Sequence, residues 1–326
     1  MKKRFGLIAC IFAAIALFIA VFATKDKIAQ AANKIYLNAT DITLELGHYK
    51  TLKVYGTNEK ATFKSANTRA ATVTSGGKVT AQGWGSTTIY TYVAGKTLKT
   101  KVTIVQMSKK NVTLAPGNTI KLELWGSDSS TTWSSDNTKV ATVSDDGLVT
   151  GVGVGKATVT ATFNGKKITS QITVIGLNHT YKVLEFGGKF SLTRSNYGST
   201  IKLQVTGSNE KVTWSSSDTK VAVVDSKGKV TAKGPGEARI YASVNGSSVY
   251  AVIRVLKMEH NTLELKKGET FKLNVLGTDS EIIWKSNKKS VATVDDNGVV
   301  TAVKQGTAKI IAEVDGRLVR CIVTVK

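Results

Sequence analysis

Residues 212–240 read VTWSSSDTKVAVVDSKGKVTAKGPGEARI, and related stretches recur three more times in this chain of 326 residues. The other copies are ATFKSANTRAATVTSGGKVTAQGWGSTTI (61–89), TTWSSDNTKVATVSDDGLVTGVGVGKATV (131–159) and IIWKSNKKSVATVDDNGVVTAVKQGTAKI (282–310). Each copy begins near an aromatic residue and has glycines fourteen and twenty-two positions after it; the aromatics are Phe63, Trp133, Trp214 and Trp284. Aromatic residues and glycines that keep the same spacing in all four copies, with copies a domain's length apart, indicate tandem repeated domains.

The repeat also argues against an enzyme. The serine triplet Ser215–Ser217 beside Asp218 resembles a nucleophile loop, but no histidine keeps register with it in any copy. The glycines at 234 and 236 resemble a phosphate-binding loop, but the helix that such a loop requires does not follow. We therefore expect scaffold serines, no catalytic residues, no cofactor and no metal. The acidic pairs at 145–146 and 295–296 fit turns better than calcium loops.

The residue pattern predicts short strands. Ala157, Val159, Ala161 and Phe163 alternate with threonines, which is typical of a sheet with one buried face. A hairpin turn follows at Asn164-Gly165 and at the equivalent positions 94–95, 245–246 and 315–316. Leu122-Glu123-Leu124 and its equivalent 273–275 predict a further alternating strand upstream of the aromatic residue. Six or seven strands per repeat indicate a two-sheet sandwich, with the four aromatic residues as structural core between the sheets.

The amino terminus predicts export. MKKR precedes an uncharged run over residues 5–23, and Ala29-Gln30-Ala31 offers a signal-peptidase site. The alternative is an uncleaved membrane anchor, because the apolar run is long enough to span a bilayer. Cleavage leaves Cys321 as the remaining cysteine, so no intramolecular disulfide forms. Its alignment with inward-facing positions predicts that it is buried.

The predicted organisation is all-β. After the signal or anchor helix (1–31) we expect four immunoglobulin-like domains: 32–106 (domain 1), 107–175 (domain 2), 176–256 (domain 3) and 257–326 (domain 4). Short linkers at 106–111, 175–181 and 256–261 lack flexible Gly/Ser or Pro tracts. An elongated, semi-rigid array follows from these linkers.

The motif W-x-S-x-(3–4)-V-A-x-V-(3)-G-x-V-T-(4)-G resembles the bacterial immunoglobulin-like domain, group 2, of intimin- and invasin-type surface proteins. The resemblance covers nearly all of residues 34–326. It implies Ig-like sandwiches without the antibody disulfide, extended strings of domains, and roles in adhesion or in presenting other modules. The first copy departs from the motif at Phe63 and Ala70, and the third carries extra residues around 191–199.

The net charge of the chain indicates which kind of partner it attracts. The chain carries +22; residues 1–31 contain five basic residues and one acidic residue, which leaves +18 for the remainder. Domains 1 to 4 carry +7, +2, +6 and +3. A basic exported protein is drawn to anionic cell-wall or host glycans, and a protein receptor is an alternative. The charge is also explained by solubility and loose wall retention alone. Export argues against nucleic acid, and the membrane enters only through an uncleaved amino terminus.

One hairpin offers a candidate ligand-binding face. Its residues are Trp84, Tyr90, Tyr92, Lys99 and Lys101. The strand alternation turns the tyrosines outward, and a two-residue turn at 94–95 sets Tyr90 opposite Lys99. Two alternatives stay open: tyrosines packed on lysine stems at an edge, and a tryptophan in contact with a neighbouring domain. The sequence therefore predicts a non-catalytic adhesive or structural surface rod or, alternatively, an accessory protein that binds anionic polysaccharide.

Overall fold

The computed structural model describes residues 34–187 and 199–326, and all regular secondary structure in these ranges is β-strand. The predicted signal or anchor segment and most of the extra residues of the third copy lie outside the described residues. Within the two ranges, no helix has the length and apolarity needed to cross a membrane.

Domains 1 and 2 contain seventeen of the strands. Domain 1 has β1 (Tyr36–Leu37), β2 (Asp41–Glu45), β3 (Tyr49–Thr51), β4 (Val54–Tyr55), β5 (Thr62–Ser65), β6 (Ala71–Val73), β7 (Lys78–Ala81), β8 (Gly85–Val93) and β9 (Lys96–Met107). Domain 2 has β10 (Asn111–Leu114), β11 (Thr119–Lys121), β12 (Leu124–Trp125), β13 (Thr132–Ser135), β14 (Ala141–Val143), β15 (Leu148–Gly151), β16 (Gly155–Phe163) and β17 (Lys166–Val174).

Domains 3 and 4 repeat this order. Domain 3 has β18 (Gly176–Leu177), β19 (Tyr181–Glu185), β20 (Thr200–Lys202), β21 (Val205–Thr206), β22 (Thr213–Ser216), β23 (Ala222–Val224), β24 (Lys229–Ala232), β25 (Gly236–Val244) and β26 (Ser247–Met258). Domain 4 has β27 (Thr262–Leu265), β28 (Thr270–Lys272), β29 (Val275–Leu276), β30 (Ile283–Ser286), β31 (Ala292–Val294), β32 (Val299–Ala302), β33 (Gly306–Val314) and β34 (Arg317–Val325).

Every domain is built from the same two sheets. In domain 2 the larger sheet has the order β10-β17-β16-β13 and the smaller sheet has the order β11-β15-β14. The first strand of each larger sheet runs parallel to the last, whereas the other pairs among the described strands are antiparallel. The four- and three-stranded sheets form the expected Ig-like sandwich.

The space between the two sheets holds one hydrophobic cluster in each domain. On β16 the apolar residues are buried and the threonines between them are half-buried, which confirms the alternation. Cys321 in domain 4 is fully buried, also as predicted. Burial raises the pKa of its thiol to about 12, so this thiol remains protonated at physiological pH.

Trp133 bridges the two sheets at one edge of domain 2. It lies on the edge strand β13 and packs, partly buried, against the core. A Cβ added to Gly147, in the turn between β14 and β15, would lie 2.9 Å from Cε2 of the Trp133 ring. Gly147 also has φ +85°, so both the ring and the backbone require glycine there. The same contact joins the other aromatic residues to their glycines: Phe63 to Gly77, Trp214 to Gly228, and Trp284 to Gly298.

The prediction of one strand through Leu122-Glu123-Leu124 was wrong, because the chain changes partners there. β11 ends at Lys121, Leu122 donates its backbone N–H to the Gly147 carbonyl, and β12 begins on the end of β9. Both leucines still reach the core of domain 2, which explains the misleading alternation. The equivalent segment of domain 4 breaks in the same way between β28 and β29.

Thr91 on β8 is fully buried, and its hydroxyl has no hydrogen-bond partner. The equivalent residues of the other domains are Ala161, Ala242 and Ala312. We expect Thr91→Ala to raise the free energy of unfolding of domain 1 by about 1 kcal/mol, because it removes an unsatisfied buried polar group. Hydrogen-exchange mass spectrometry of peptides from β8 and β9 measures this change, and faster exchange in the variant would contradict it.

Candidate ligand-binding face and domain junctions

The outer face of the hairpin β8–β9 carries Tyr90, Tyr92 and Lys99. The strand register sets Tyr90 opposite Lys99, as the sequence predicted. The tyrosine ring centroids are 6.5 Å apart with planes 20° from parallel, and Nζ of Lys99 lies 5.8 Å from the centroid of the Tyr90 ring. Tyr92 is 42% exposed. Two aromatic rings and a cation therefore share one surface open to solvent.

A further lysine, which sequence reasoning missed, completes a row across the sheet. β5 sets the exposed Lys64 opposite Tyr90, so that a lysine flanks this tyrosine on each side. The sequence did contain a signal for this lysine: residues alternate between the two faces of a strand, so Lys64 faces outward if Phe63 faces inward. None of the ion pairs found among the described residues involves Lys64 or Lys99. Lys64, Tyr90, Tyr92 and Lys99 are called the tyrosine–lysine face below.

Lys101 lies beside this face but has acidic neighbours. On β2, Asp41 is its partner in the strand register. The pKa of Asp128 in domain 2 is lowered, chiefly by hydrogen bonds from Ser130 and to a smaller extent by the charge of Lys101. Part of the Lys101 charge is therefore balanced within the protein.

Trp84 lies at the opposite end of β8 from the tyrosines. It precedes Tyr90 by six residues, which corresponds to roughly 20 Å along a strand. Its ring centroid is 6.1 Å from that of Trp125 in domain 2, while 58% of its surface remains exposed. The structure thus separates Trp84 from the other predicted site residues and places it in a contact between domains.

At two of the three junctions in the described chain a strand continues into the next domain, and at the third a short strand pair within domain 3 follows directly after domain 2. The ends of β9 and β26 pair with β12 and β29 of the following domain, and β18 pairs with β21 just after β17. Met107 and Met258, at the ends of β9 and β26, belong to the core clusters of the following domains. The predicted linkers therefore contain ordered strand, which opposes bending between neighbouring domains.

A glycine follows each of these pairs and lies against the preceding domain. A Cβ on Gly277 would lie 2.1 Å from the Val255 carbonyl oxygen and 3.2 Å from Cβ of Pro235. Its φ is +90°, a region that suits glycine. The added Cβ would meet the preceding domain in the same way at the other junctions: Gly126 against Ile104, and Gly207 against Val174.

The hairpin turns reach back to the preceding domain. Nδ2 of Asn164 donates to Oγ1 of Thr43 at 3.3 Å, and Nδ2 of Asn245 donates to Oγ1 of Thr113 at 3.4 Å. Both asparagines have φ near +48°, a left-handed conformation that asparagine tolerates better than most residues. The turn residue therefore completes the hairpin and also contacts the neighbouring domain.

The junction between domains 3 and 4 is ionic. Nη1 of Arg254 in domain 3 donates to Oδ2 of Asp315, the turn residue of domain 4, at 2.8 Å. Oη of Tyr181 donates to the same carboxylate at 2.8 Å, and Nη2 of Arg254 lies 3.2 Å from Oε2 of Glu237. Burial and the hydrogen bond to Asp315 raise the pKa of Tyr181 to about 12, so its hydroxyl remains a donor at neutral pH.

We expect Asp315→Asn to loosen this junction, because it removes the charge that Arg254 contacts while keeping a residue that the equivalent turns of domains 2 and 3 use. The expected loss is about 1–3 kcal/mol of docking free energy. Small-angle X-ray scattering at low and high salt measures it: the wild-type chain should become more flexible at high salt, whereas the variant should show a weaker salt dependence. Identical salt responses would contradict the ionic role.

The serines of the stretch 212–240 form hydrogen bonds with backbone groups of their own domain. Oγ of Ser216 donates to the Ala222 carbonyl at 2.7 Å, and Oγ of Ser217 accepts the backbone N–H of Arg239 at 2.9 Å. The first of these hydrogen bonds recurs in domains 2 and 4. In the ranges that the structure describes, no group of three or more His, Cys, Asp or Glu side chains is placed to hold a metal ion.

Ig-like sandwiches joined end to end, two of the junctions through a continuous strand, place this chain in a class of multidomain β-proteins. The sequence matches the family described as bacterial Ig-like domain (group 2) over residues 101–174, 197–253 and 256–317, which together make up more than half of the chain. The chain therefore belongs to this family, whose tandem domains fit a structural or adhesive role. Residues before 101, which include the whole of the divergent first copy (61–89), lie outside the matched segments.

Several known proteins are similar to parts of the chain. Ice-binding protein 1 of Shewanella frigidimarina (strain NCIMB 400) is 29% identical over 207 residues, which cover 56% of this chain and 23% of that protein. The crystal structure of an EHEC O157:H7 intimin mutant is 28% identical and covers 20% of this chain and 39% of that chain, with a TM-score of 0.18. Invasin, described as a bacterial integrin-binding protein, is 14% identical and covers 90% and 79%, with a TM-score of 0.26. This chain thus spans less than half the length of the first two.

Proposed function

We propose that the protein is an exported, non-catalytic surface rod that adheres to an anionic cell-wall or host polysaccharide through the tyrosine–lysine face of domain 1. The observation that carries this proposal is the row Lys64–Tyr90–Lys99, in which an aromatic ring lies between two lysines outside the described ion pairs. The junctions support the rod, because strands continue from one domain into the next at two of them and side-chain contacts join neighbouring domains at all three.

The chemistry of the face suits an acidic sugar polymer. A tyrosine ring offers an apolar surface on which the C–H face of a sugar ring packs, together with a hydroxyl that forms hydrogen bonds. The lysines attract carboxylate, phosphate or sulfate groups, and the +7 charge of domain 1 strengthens that attraction at low ionic strength. Lys64, Tyr92 and Lys99 are exposed, so the polymer reaches them without a conformational change.

The test compares the full chain with a Tyr90→Thr/Tyr92→Thr variant. Domain 2 has Thr160 and Thr162 at these positions, so threonine is compatible with the strand. We expect the variant to lose affinity for purified cell walls and for polygalacturonate by about 10-fold, the effect of losing one or two aromatic contacts of about 1 kcal/mol each. Hydrogen exchange of β8 and β9 checks that domain 1 remains folded.

The outcomes separate this proposal from a second candidate, a spacer without a ligand, which the shared junctions alone favour. Unchanged wall binding in the folded variant would leave the tyrosines as cross-strand packing and favour the spacer. Binding that disappears for both proteins at moderate salt, with no effect of the tyrosines, would indicate charge attraction alone.

Export is the second part of the proposal and has its own test. The intact mass of the protein recovered from the producing cells distinguishes cleavage after residue 31 from retention of the apolar segment. Protein recovered with the soluble cytoplasmic contents at full mass would contradict export.

A further inference from the structure

Domain 3 carries a second aromatic and basic surface on the same hairpin position. Tyr241 and Tyr250 are opposite each other on β25 and β26, and their ring centroids are 5.7 Å apart at 54°. The guanidinium carbon of Arg239 lies 5.1 Å from the centroid of the Tyr250 ring. Tyr250 is 47% exposed and Arg239 is exposed. By position in the repeat, Tyr241 is the counterpart of Tyr90 and Tyr250 is the counterpart of Lys99.

The surface continues across the neighbouring strand. β19 sets Tyr181, which is 41% exposed, opposite Val252, and Val252 is opposite Arg239 on the other side. Arg254 lies toward domain 4 and contacts Asp315 of that domain as well as Glu237 of its own domain. Arg239, in contrast, takes part in none of the ion pairs found in the described ranges. Its charge is therefore open to a ligand beside an exposed ring.

The hairpins that carry tyrosines at these positions belong to domains 1 and 3, which are also the two domains with the highest net charge. Domain 1 and domain 3 carry +7 and +6, whereas domain 2 and domain 4 carry +2 and +3. At the counterparts of Tyr241 and Tyr250, domain 2 has Thr160 and Thr169, and domain 4 has Ile311 and Arg320. Cross-strand packing alone requires neither this alternation nor its coincidence with net charge.

We propose that Arg239, Tyr241 and Tyr250 form a second binding face for an acidic polysaccharide, and that one long polymer engages domains 1 and 3 together. This inference rests on the proposed function of the tyrosine–lysine face. A twelve-residue strand such as β26 spans about 40 Å, so the two faces are separated by roughly 80 Å, the length of two domains. A second face on the same rod converts its binding to an intramolecular event and raises avidity without new contacts.

The experiment uses full-length chains and three sets of substitutions. Arg239→Thr/Tyr241→Thr/Tyr250→Thr installs the residues of domain 2 in domain 3 and removes the second face. Tyr90→Thr/Tyr92→Thr removes the first face, and a third chain combines both sets. Lys309→Thr is the matched control, because it removes one cation from the counterpart of Arg239 in domain 4, where no tyrosines adjoin it. Hydrogen exchange of β25 and β26 verifies folding.

The probes are long polygalacturonate, a short oligogalacturonate that reaches only one face, polyglutamate as an anion without sugar rings, and dextran as a neutral sugar polymer. We expect each single-face variant to lose about 10-fold in affinity for the long polymer, and the chain that combines both sets to lose more than either. For the short oligomer, binding stoichiometry should fall from two to one, with the affinity of the remaining face unchanged. Lys309→Thr should behave as wild type, and the long polygalacturonate should bind more tightly than polyglutamate or dextran.

The outcomes distinguish failure of this inference from failure of the proposed function. Unchanged binding in the domain 3 variant, with loss in the domain 1 variant, overturns the second face and leaves the proposed function intact. Loss in the domain 3 variant alone supports the second face and removes the role of domain 1. Unchanged binding in all variants, or equal binding of polyglutamate and polygalacturonate, overturns both.

Discussion

Replacing Trp284 by alanine is expected to destabilise domain 4 strongly while domains 1 and 2 keep their structure. The ring packs against the core of domain 4 and fills the space above Gly298, where even a Cβ would lie 2.8 Å from Cζ2. Removing a fully buried aromatic residue costs about 3–5 kcal/mol, and because Trp284 is partly buried we expect a cost near the lower end of this range. A domain of this size has a free energy of unfolding of only roughly 4–10 kcal/mol. Hydrogen-exchange mass spectrometry, read separately for peptides of each domain, measures the effect.

Two variants control this experiment. Trp284→Phe installs the aromatic residue that domain 1 uses at Phe63 and should retain most of the stability. Trp133→Ala should move the loss of protection to peptides of domain 2 and leave domain 4 unchanged. If Trp284→Ala leaves exchange in β30 to β34 at the wild-type rate, the aromatic residue does not support the core of its domain.

The local features of the fold were predictable because they depend on neighbours in sequence. Alternation on β16 reports which face is buried, and the turn residues Asn164 and Gly165 determine the register of the following strand. The same reasoning set Tyr90 opposite Lys99, which the structure confirms. The paired columns of aromatic residues and glycines were visible as a repeat, although their direct contact required the three-dimensional structure.

The strand pairings at the junctions and of the edge strand β5 were not predictable from this pattern, because they join residues that are far apart in sequence. Leu122 and Leu124 show the alternation of a single strand, yet their backbones have different partners. Leu122 donates to the Gly147 carbonyl within domain 2, whereas Leu124 pairs with the end of β9, which comes from domain 1. Lys64 joins the candidate face only through the pairing of β5 with β8. The chemistry of Trp84 suits the same ligand as the tyrosines, but the length of a strand separates it from them and brings it to Trp125.

Replacing Gly277 by alanine is expected to separate domain 4 from domain 3. The residue has φ +90°, which costs alanine about 1–2 kcal/mol. Its added Cβ would also lie 2.1 Å from the Val255 carbonyl oxygen and 2.7 Å from the backbone nitrogen of Gly236. Both of these atoms are backbone of domain 3, so the overlap is relieved only when the β26–β29 pair moves apart. Small-angle X-ray scattering should then show a more flexible chain, and β29 should lose hydrogen-exchange protection.

A second glycine separates steric overlap from backbone strain. Gly268 in domain 4 has φ +89°, but an added Cβ there has no atom within 4 Å. Gly268→Ala therefore carries the same conformational cost without a contact to domain 3, and we expect it to leave the scattering profile and the protection of β29 unchanged. If Gly277→Ala and Gly268→Ala behave alike, strain within domain 4 explains the loss. If only Gly277→Ala loosens the chain, the glycine that follows each junction strand holds neighbouring domains together by permitting close approach of their backbones.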